Sequence, residues 1–283
     1  VIDEVAERLW PGRVEAVEQL GGGITNRNFR VVAGGESFVI RIGGADTALL
    51  GVDRAVERVA SETAAALGIA PQVVAFLEPE GYLVTRYLEG DVGRADVATA
   101  APLLRRLHDG PAIVGRFDSF RVVRDYASIA QERGVTLPEA YERASVVAGE
   151  IEPRRRSAPL RPCHNDLLAA NFIHDGSRLW LVDWEYAGMG DAAFDLANFA
   201  ANAELDEDGD RALLAAYGSG DPATHVLMRF MSDFREAMWA VVQQAVSELE
   251  FDFAGYADEC FERLERTAAE PRFRRALTGG TGA

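Results

Sequence analysis

Only two of the 283 residues are cysteine, Cys163 and Cys260, and they stand far apart. That excludes a disulfide framework and a four-ligand cysteine zinc site, and makes a reducing, cytoplasmic setting the expectation. No uninterrupted apolar run is long enough to span a bilayer, so no integral membrane association is expected. The opening stretch, VIDEVAERLW, has neither the basic region nor the apolar core of an export leader. Basic residues are outnumbered, 29 against 45 acidic, for a formal net charge of −16. Such a field excludes a general nucleic-acid surface and favours cationic small molecules. It leaves room for a nucleotide, because one metal-bound phosphate group needs only a local site. Internal repeats and a coiled-coil seam are also lacking.

What is present is a globular composition, 48% apolar and 26% charged. The first third is rich in strands. A helix is predicted over Ile2–Leu9, then strands at Val14–Leu20, 29–32 and 37–42. Between the first two lies GGGITNRN. Gly21, Gly22 and Gly23 allow close approach to a ligand, and their amides could surround a phosphate; a flexible surface turn fits them equally. Thr25 and Asn26 add polarity. The strand–turn–strand context excludes a dinucleotide-binding fold. A long helix is predicted over 52–67, with Glu62 near its middle. Strands at Val73–Leu77 and 82–87 lead to a hinge at 88–90, which predicts lobes of 1–88 and 89–283.

The remainder reads as helical: 95–107, 126–131, 137–150, 192–203, 211–217, 223–249 and 252–270. His108 falls at a helix end, as a cap or a packing residue. Residues 154–156, all arginine, read as a solvated connector. The acidic turn 204–210 reads as a solvated face, since it lacks the ligand spacing of a calcium loop. The tail 278–283 is expected to fray.

The stretch 162–186, PCHNDLLAANFIHDGSRLWLVDWEY, organises the rest. Asp166 and Asn171 are five apart, and Asp183 lies twelve residues on, after the apolar run 179–182. Carboxylate and amide oxygens between apolar anchors suit a base and a divalent metal. Any one of them alone would also suit a loop cap.

The runs HNDLLAAN and LVDWEYAG, with TRYLEG at 85–90 and FDFAGYA at 251–257, resemble the choline and ethanolamine kinase branch of the kinase-like aminoglycoside phosphotransferase superfamily. The resemblance covers about residues 14–270. It implies an α+β, bilobal, protein-kinase-like fold with an antiparallel-sheet N-terminal lobe and a mainly helical C-terminal lobe. It implies ATP and Mg2+, with Asp166 as base or hydroxyl-orienting group and Asn171 and Asp183 on the metal. His164 would brace the loop. Arg41 would position phosphate, paired with Glu62. Gly21, Gly22, Gly23, Thr25 and Asn26 match the phosphate-covering loop, and Thr85, Tyr87 and Leu88 the connection beside adenine. Glu185, Trp239 and Tyr256 would meet a cationic headgroup. Trp239, beside Met238 and Val241, also reads as helix core, and Tyr256 as packing. The Walker ending GKS or GKT is absent. Asp183–Trp184–Glu185 stands where protein kinases have DFG, and Arg41 where they have lysine; both argue against a protein kinase. The expected reaction is phosphorylation of choline or a close amino alcohol, giving ADP and phosphocholine. An ethanolamine kinase, an aminoglycoside O-phosphotransferase, another small-alcohol kinase and a non-enzymatic nucleotide-binding protein are the alternatives.

Overall fold

Alternation of β-branched and aromatic residues with polar ones builds the first layer. The computed structural model describes residues 2–21, 26–44, 47–247 and 249–279. Val14–Leu20 (β1), Asn26–Ala33 (β2), Glu36–Gly43 (β3), Val73–Leu77 (β4) and Tyr82–Arg86 (β5) form one antiparallel sheet, ordered β1-β2-β3-β5-β4. Phe29, Val31 and Ala33 of β2 and Phe38, Ile40 and Ile42 of β3 point to the same buried face, as a period of two requires. Ile2–Leu9 (α1) covers that face with Val5 and Ala6. Ala33 pairs with Glu36, so Gly34 and Gly35 alone make the β2–β3 turn; their φ of +59° and +77° is the left-handed pair that such a hairpin demands.

Arg54–Ala66 (α2) begins later than the expected residue 52, because the Asp53 side chain caps it through the amides of Ala55 and Val56. Its small face, Ala60 and Ala64, packs with Leu104, Leu107, Phe172 and Leu181 of the second lobe rather than with the sheet core. The Leu181 amide donates to the Ile69 carbonyl at 2.8 Å, so the segment after α2 is tied to the site stretch as well.

After β5 the chain crosses into the second lobe. Asp91–Val92 (β6) pairs with Phe172–His174 (β8), which pairs with Leu179–Leu181 (β9). Leu160–Cys163 (β7) pairs with Gly188–Asp191 (β10). The stretch 162–186 is thus suspended between two small sheets. Around them lie Val97–His108 (α3), Ser119–Glu132 (α4), Glu139–Arg155 (α5), Ala192–Asn202 (α6), Glu207–Tyr217 (α7), Pro222–Val246 (α8), Phe253–Ala269 (α9) and Pro271–Thr278 (α10). The 25-residue α8 is buried along most of its length, and α4, α6 and α9 pack around it. The fold is α+β and bilobal, sheet-rich first and helical second. Among the described residues no helix is long and apolar enough to cross a membrane.

Several local expectations change. The helix expected at 126–131 starts at Ser119, because Asp118 caps it. Residues 154 and 155 are no solvated connector: both end α5, Arg155 grips Asp191 with two hydrogen bonds of 2.8 and 2.9 Å, and Arg154 caps the carbonyls of Ala276 and Leu277. The acidic turn is not uniformly solvated either. Asp210 is buried and accepts from His225, Arg229 and Arg272. A tenth helix, α10, opens on Pro271 where a frayed end was expected to be near.

Candidate active site

Asp166 sits on a loop that the fold holds from behind. Asp195 on α6 accepts the amides of His164 at 2.8 Å and Asn165 at 2.7 Å, one per carboxylate oxygen. One turn on, Asn198 accepts the Leu167 amide. These bonds pin Asn165 at φ +67°, an uncommon setting for a non-glycine residue, and they aim Asp166 into the cleft. His164 is buried, and burial holds its imidazole below the ordinary value, against the pull of Asp195, Asp166 and Asp183. Neutral, it donates Nε2–H to the Val182 carbonyl at 3.0 Å and braces the strand end before Asp183.

Asp183 also has positive φ, +69°. Val182 N bonds the Asn171 carbonyl, which draws the two ends of the stretch together. Asn171 Nδ2 donates to the Asp166 carbonyl at 2.9 Å, leaving its Oδ1 as the atom to offer a cation. Arg41 on β3 donates to Asp183 Oδ1 at 2.6 Å and to Glu57 Oε1 at 2.8 Å. Burial alone would lower the Arg41 pKa; the charges of Asp183, Glu57 and Glu185 outweigh it and hold it above the usual value.

Glu57 corrects the expected pairing. Glu62 is exposed, whereas Glu57 is 2% exposed and also accepts from Arg54 at 2.7 Å. The reason is helical phase. Five residues place Glu62 about 140° around α2 from Glu57, away from the Ala60–Ala64 face. The small-residue row Ala60, Ser61, Ala64 was the available signal. The chain contains no lysine, so every cation at this site is a guanidinium with a fixed fork of donors.

These groups open on one cleft of about 580 Å3 between the lobes. At one end it is lined by Val39, Thr85, Tyr87, Leu88 and Ile173. The Tyr87 amide already bonds the Ser37 carbonyl at 3.0 Å. Gly90 packs against β8: a Cβ there would lie 2.5 Å from the His174 carbonyl oxygen. Gly21 and Asn26 border the cleft, while Gly22, Gly23 and Thr25 lie outside the described residues. Asn26 donates to Glu185 Oε2 at 2.9 Å, tying the end of the glycine turn to the segment after Asp183.

The far end is lined by Glu185, Tyr186, Arg235, Glu236, Trp239 and Tyr256. Trp239 is 6% exposed and donates Nε1–H to the Tyr186 hydroxyl at 3.1 Å. It stands edge-on to Tyr256, with ring centroids 6.4 Å apart. Burial pushes the Glu185 carboxyl up to about 8, with Asp183 adding and Arg41 opposing. Its Oε2 also accepts from Arg54 at 3.3 Å, so the carboxyl that lines the pocket is tied to α2 as well as to Asn26. Arg235 and Glu236, which sequence reasoning missed, lie beside Asp166. Arg235 Nη2 donates to Asp166 Oδ1 at 2.9 Å. Their signal was a pair of adjacent charges within the largely buried α8, which also carries Arg229 and Asp233.

Known proteins share this fold. Residues 16–230 match the phosphotransferase enzyme family. A choline/ethanolamine kinase family protein from Mesorhizobium loti shares 31% identity, with 98% of each chain covered and a TM-score of 0.83. The chain belongs to the choline/ethanolamine kinase family. The choline kinase LicA from Streptococcus pneumoniae is 25% identical, with 95% of this chain and 97% of that one covered and a TM-score of 0.83. Thiamine kinase from Escherichia coli is 30% identical over 201 residues, 69% of each chain. Membership makes the chain a kinase, a phosphotransferase within the larger phosphotransferase family.

This family implies a divalent metal, and the donor set fits one. Asn171 and Asp183 offer hard oxygen atoms, and the Asp183 side chain is 21% exposed in the cleft. A second cluster, His108, Cys163 and Asp195, brings ligand atoms within 4.8 Å of one another. Its members are occupied otherwise. Asp195 holds the Asp166 loop, His108 bonds Asp195 at 3.1 Å and the Tyr217 hydroxyl at 2.8 Å, and burial keeps Cys163 protonated. The buried trio is a brace, and the oxygen donors that open on the cleft are those of Asn171 and Asp183.

Proposed function

We propose that this chain transfers the γ-phosphoryl group of ATP to the hydroxyl of a small cationic amino alcohol, choline or a close relative. The observation that carries the reading is the single cleft in which Asp166, Asn171, Asp183 and Arg41 lie between an apolar slot and an aromatic, acidic pocket. Apolar Val39, Leu88 and Ile173 suit an adenine face. Arg41 positions phosphate while Glu57 holds its guanidinium fork in place. Asp166, fixed by Arg235, accepts a hydrogen bond from the acceptor hydroxyl and aligns it for in-line attack. Asn171 and Asp183 would hold Mg2+, which neutralises charge on the phosphoryl oxygens. Trp239 and Tyr256 present faces and edges to a cationic headgroup, a role aromatic rings fill well. That the pneumococcal relative is a choline kinase supports the same acceptor class.

A second reading, a larger cationic alcohol of the thiamine kind, is favoured by one observation. A second cavity of about 550 Å3, between residues 48–56 and α4, shares Glu185 and Tyr186 with the cleft. Magnesium-dependent ADP release, screened over choline, ethanolamine, thiamine and an aminoglycoside with product mass analysis, separates the readings. Choline-dependent formation of phosphocholine is expected. Turnover with thiamine or an aminoglycoside and none with choline would overturn the proposed acceptor.

A further inference from the structure

A continuous chain of hydrogen bonds, buried beyond its half-buried first link, runs from the headgroup end of the cleft to Asp166. The Tyr256 hydroxyl donates to Glu236 Oε1 at 2.9 Å. Glu236 Oε2 accepts from Arg235 Nη1 at 2.8 Å. Arg235 Nη2 then reaches Asp166 Oδ1 at 2.9 Å and the Asn165 carbonyl. We propose that Tyr256, Glu236 and Arg235 form a positioning relay, which couples occupation of the headgroup pocket to the setting of Asp166. The inference rests on the reading of Asp166 as the group that orients the acceptor hydroxyl.

Three features support a relay over simple packing. Arg235 is 1% exposed and Glu236 5%, so water does not compete for these bonds. Well-packed apolar residues on α8 would give equal or greater stability than a buried ion pair, so stability alone does not account for the pair. The guanidinium is a rigid planar fork, so a shift of Glu236 at one nitrogen is felt at Asp166 on the other. Tyr256 is the half-buried member, and it lines the cleft. A headgroup against its ring restricts the hydroxyl, and through it Glu236, Arg235 and Asp166 in turn.

The test uses the full chain with MgATP and choline, as wild type, Tyr256→Phe, Glu236→Gln and the double variant. Tyr256→Phe keeps the ring and removes only the hydroxyl. The relay predicts that kcat falls about tenfold, as expected when a reacting group is slightly misplaced, while KM for choline and for ATP stays within about twofold. The double variant is expected to be no slower than the slower single variant, because both cut one chain. A tyrosine that serves only as pocket wall would leave kcat unchanged, and independent roles would make the two losses multiply; either result overturns the relay. Hydrogen exchange of the ligand-free proteins over residues 163–168 gives a second readout. If the wild type releases no ADP in response to choline, the acceptor reading has failed, and exchange decides the relay: faster exchange in both single variants supports it, and unchanged exchange overturns it.

Discussion

Glu57 is where charges of the two lobes converge, since it accepts from both Arg41 and Arg54 while Arg41 also binds Asp183. Replacing it with alanine leaves two largely buried guanidinium groups short of a partner, which costs about 3 kcal/mol. Glu62→Ala, on the exposed face of the same helix, is expected to change stability by less than about 0.5 kcal/mol. Urea unfolding of the two variants checks the difference. The pair also shows what a sequence carries at this scale. Asp166, Asn171 and Asp183 are legible because they fall within eighteen consecutive residues whose apolar neighbours fix two short strands. Arg235 and Glu236 reach the same place only through the packing of α8 against α6, and no local pattern reports that. Glu57 was within reach of helical phase alone, but the helix start had first to be set by the Asp53 cap.

At the scale of elements, α6 acts as a clamp. Asp195 and Asn198, three residues apart, face the same loop and hold three of its amides. Asp195→Asn would point an amide NH2 at a backbone N–H, leaving a buried donor unmatched at a cost of about 2 kcal/mol. Thermal unfolding should show that loss, and ADP release should fall with it. A second knot joins α7, α8 and α10 at Asp210, through His225 at 3.0 Å, Arg229 at 2.8 Å and Arg272 at 2.6 Å. Burial raises the Asp210 pKa, but His225, Arg229 and Arg272 together bring it below its ordinary 3.8. A depressed acid stabilises the fold fully above the unfolded value and loses that contribution as pH falls through the folded one. Stability is therefore expected to drop below about pH 4. Asp210→Asn should be less stable at pH 7 and show a flatter decline under acid, as read from denaturant unfolding across pH. The long helices were legible from their apolar period. The starts of α2 and α4 were not, because Asp53 and Asp118 act as caps through side-chain bonds that composition does not distinguish from ordinary surface acids. The role of Asp210 was hidden for the same reason, among the five acids of 204–210 that look alike.

For the whole molecule, the change from strand-rich to helical sequence near residue 88 foretold two lobes. It did not foretell that α2 would pack on the second lobe, which follows from an alanine face suited to the Leu104–Leu107 row. That packing makes Arg41, Glu57 and Asp183 one continuous network across the cleft. In the proposed reaction this cleft moves phosphate from ATP to an alcohol aligned by Asp166. Phosphorus NMR of the full chain with MgATP and choline, followed for the wild type and for Asp166→Asn, tests it most directly. A phosphomonoester signal is expected to grow in step with ADP in the wild type. In Asp166→Asn that signal should grow about a hundredfold more slowly or worse. ADP accompanied only by inorganic phosphate, or equal rates in the two proteins, would contradict it.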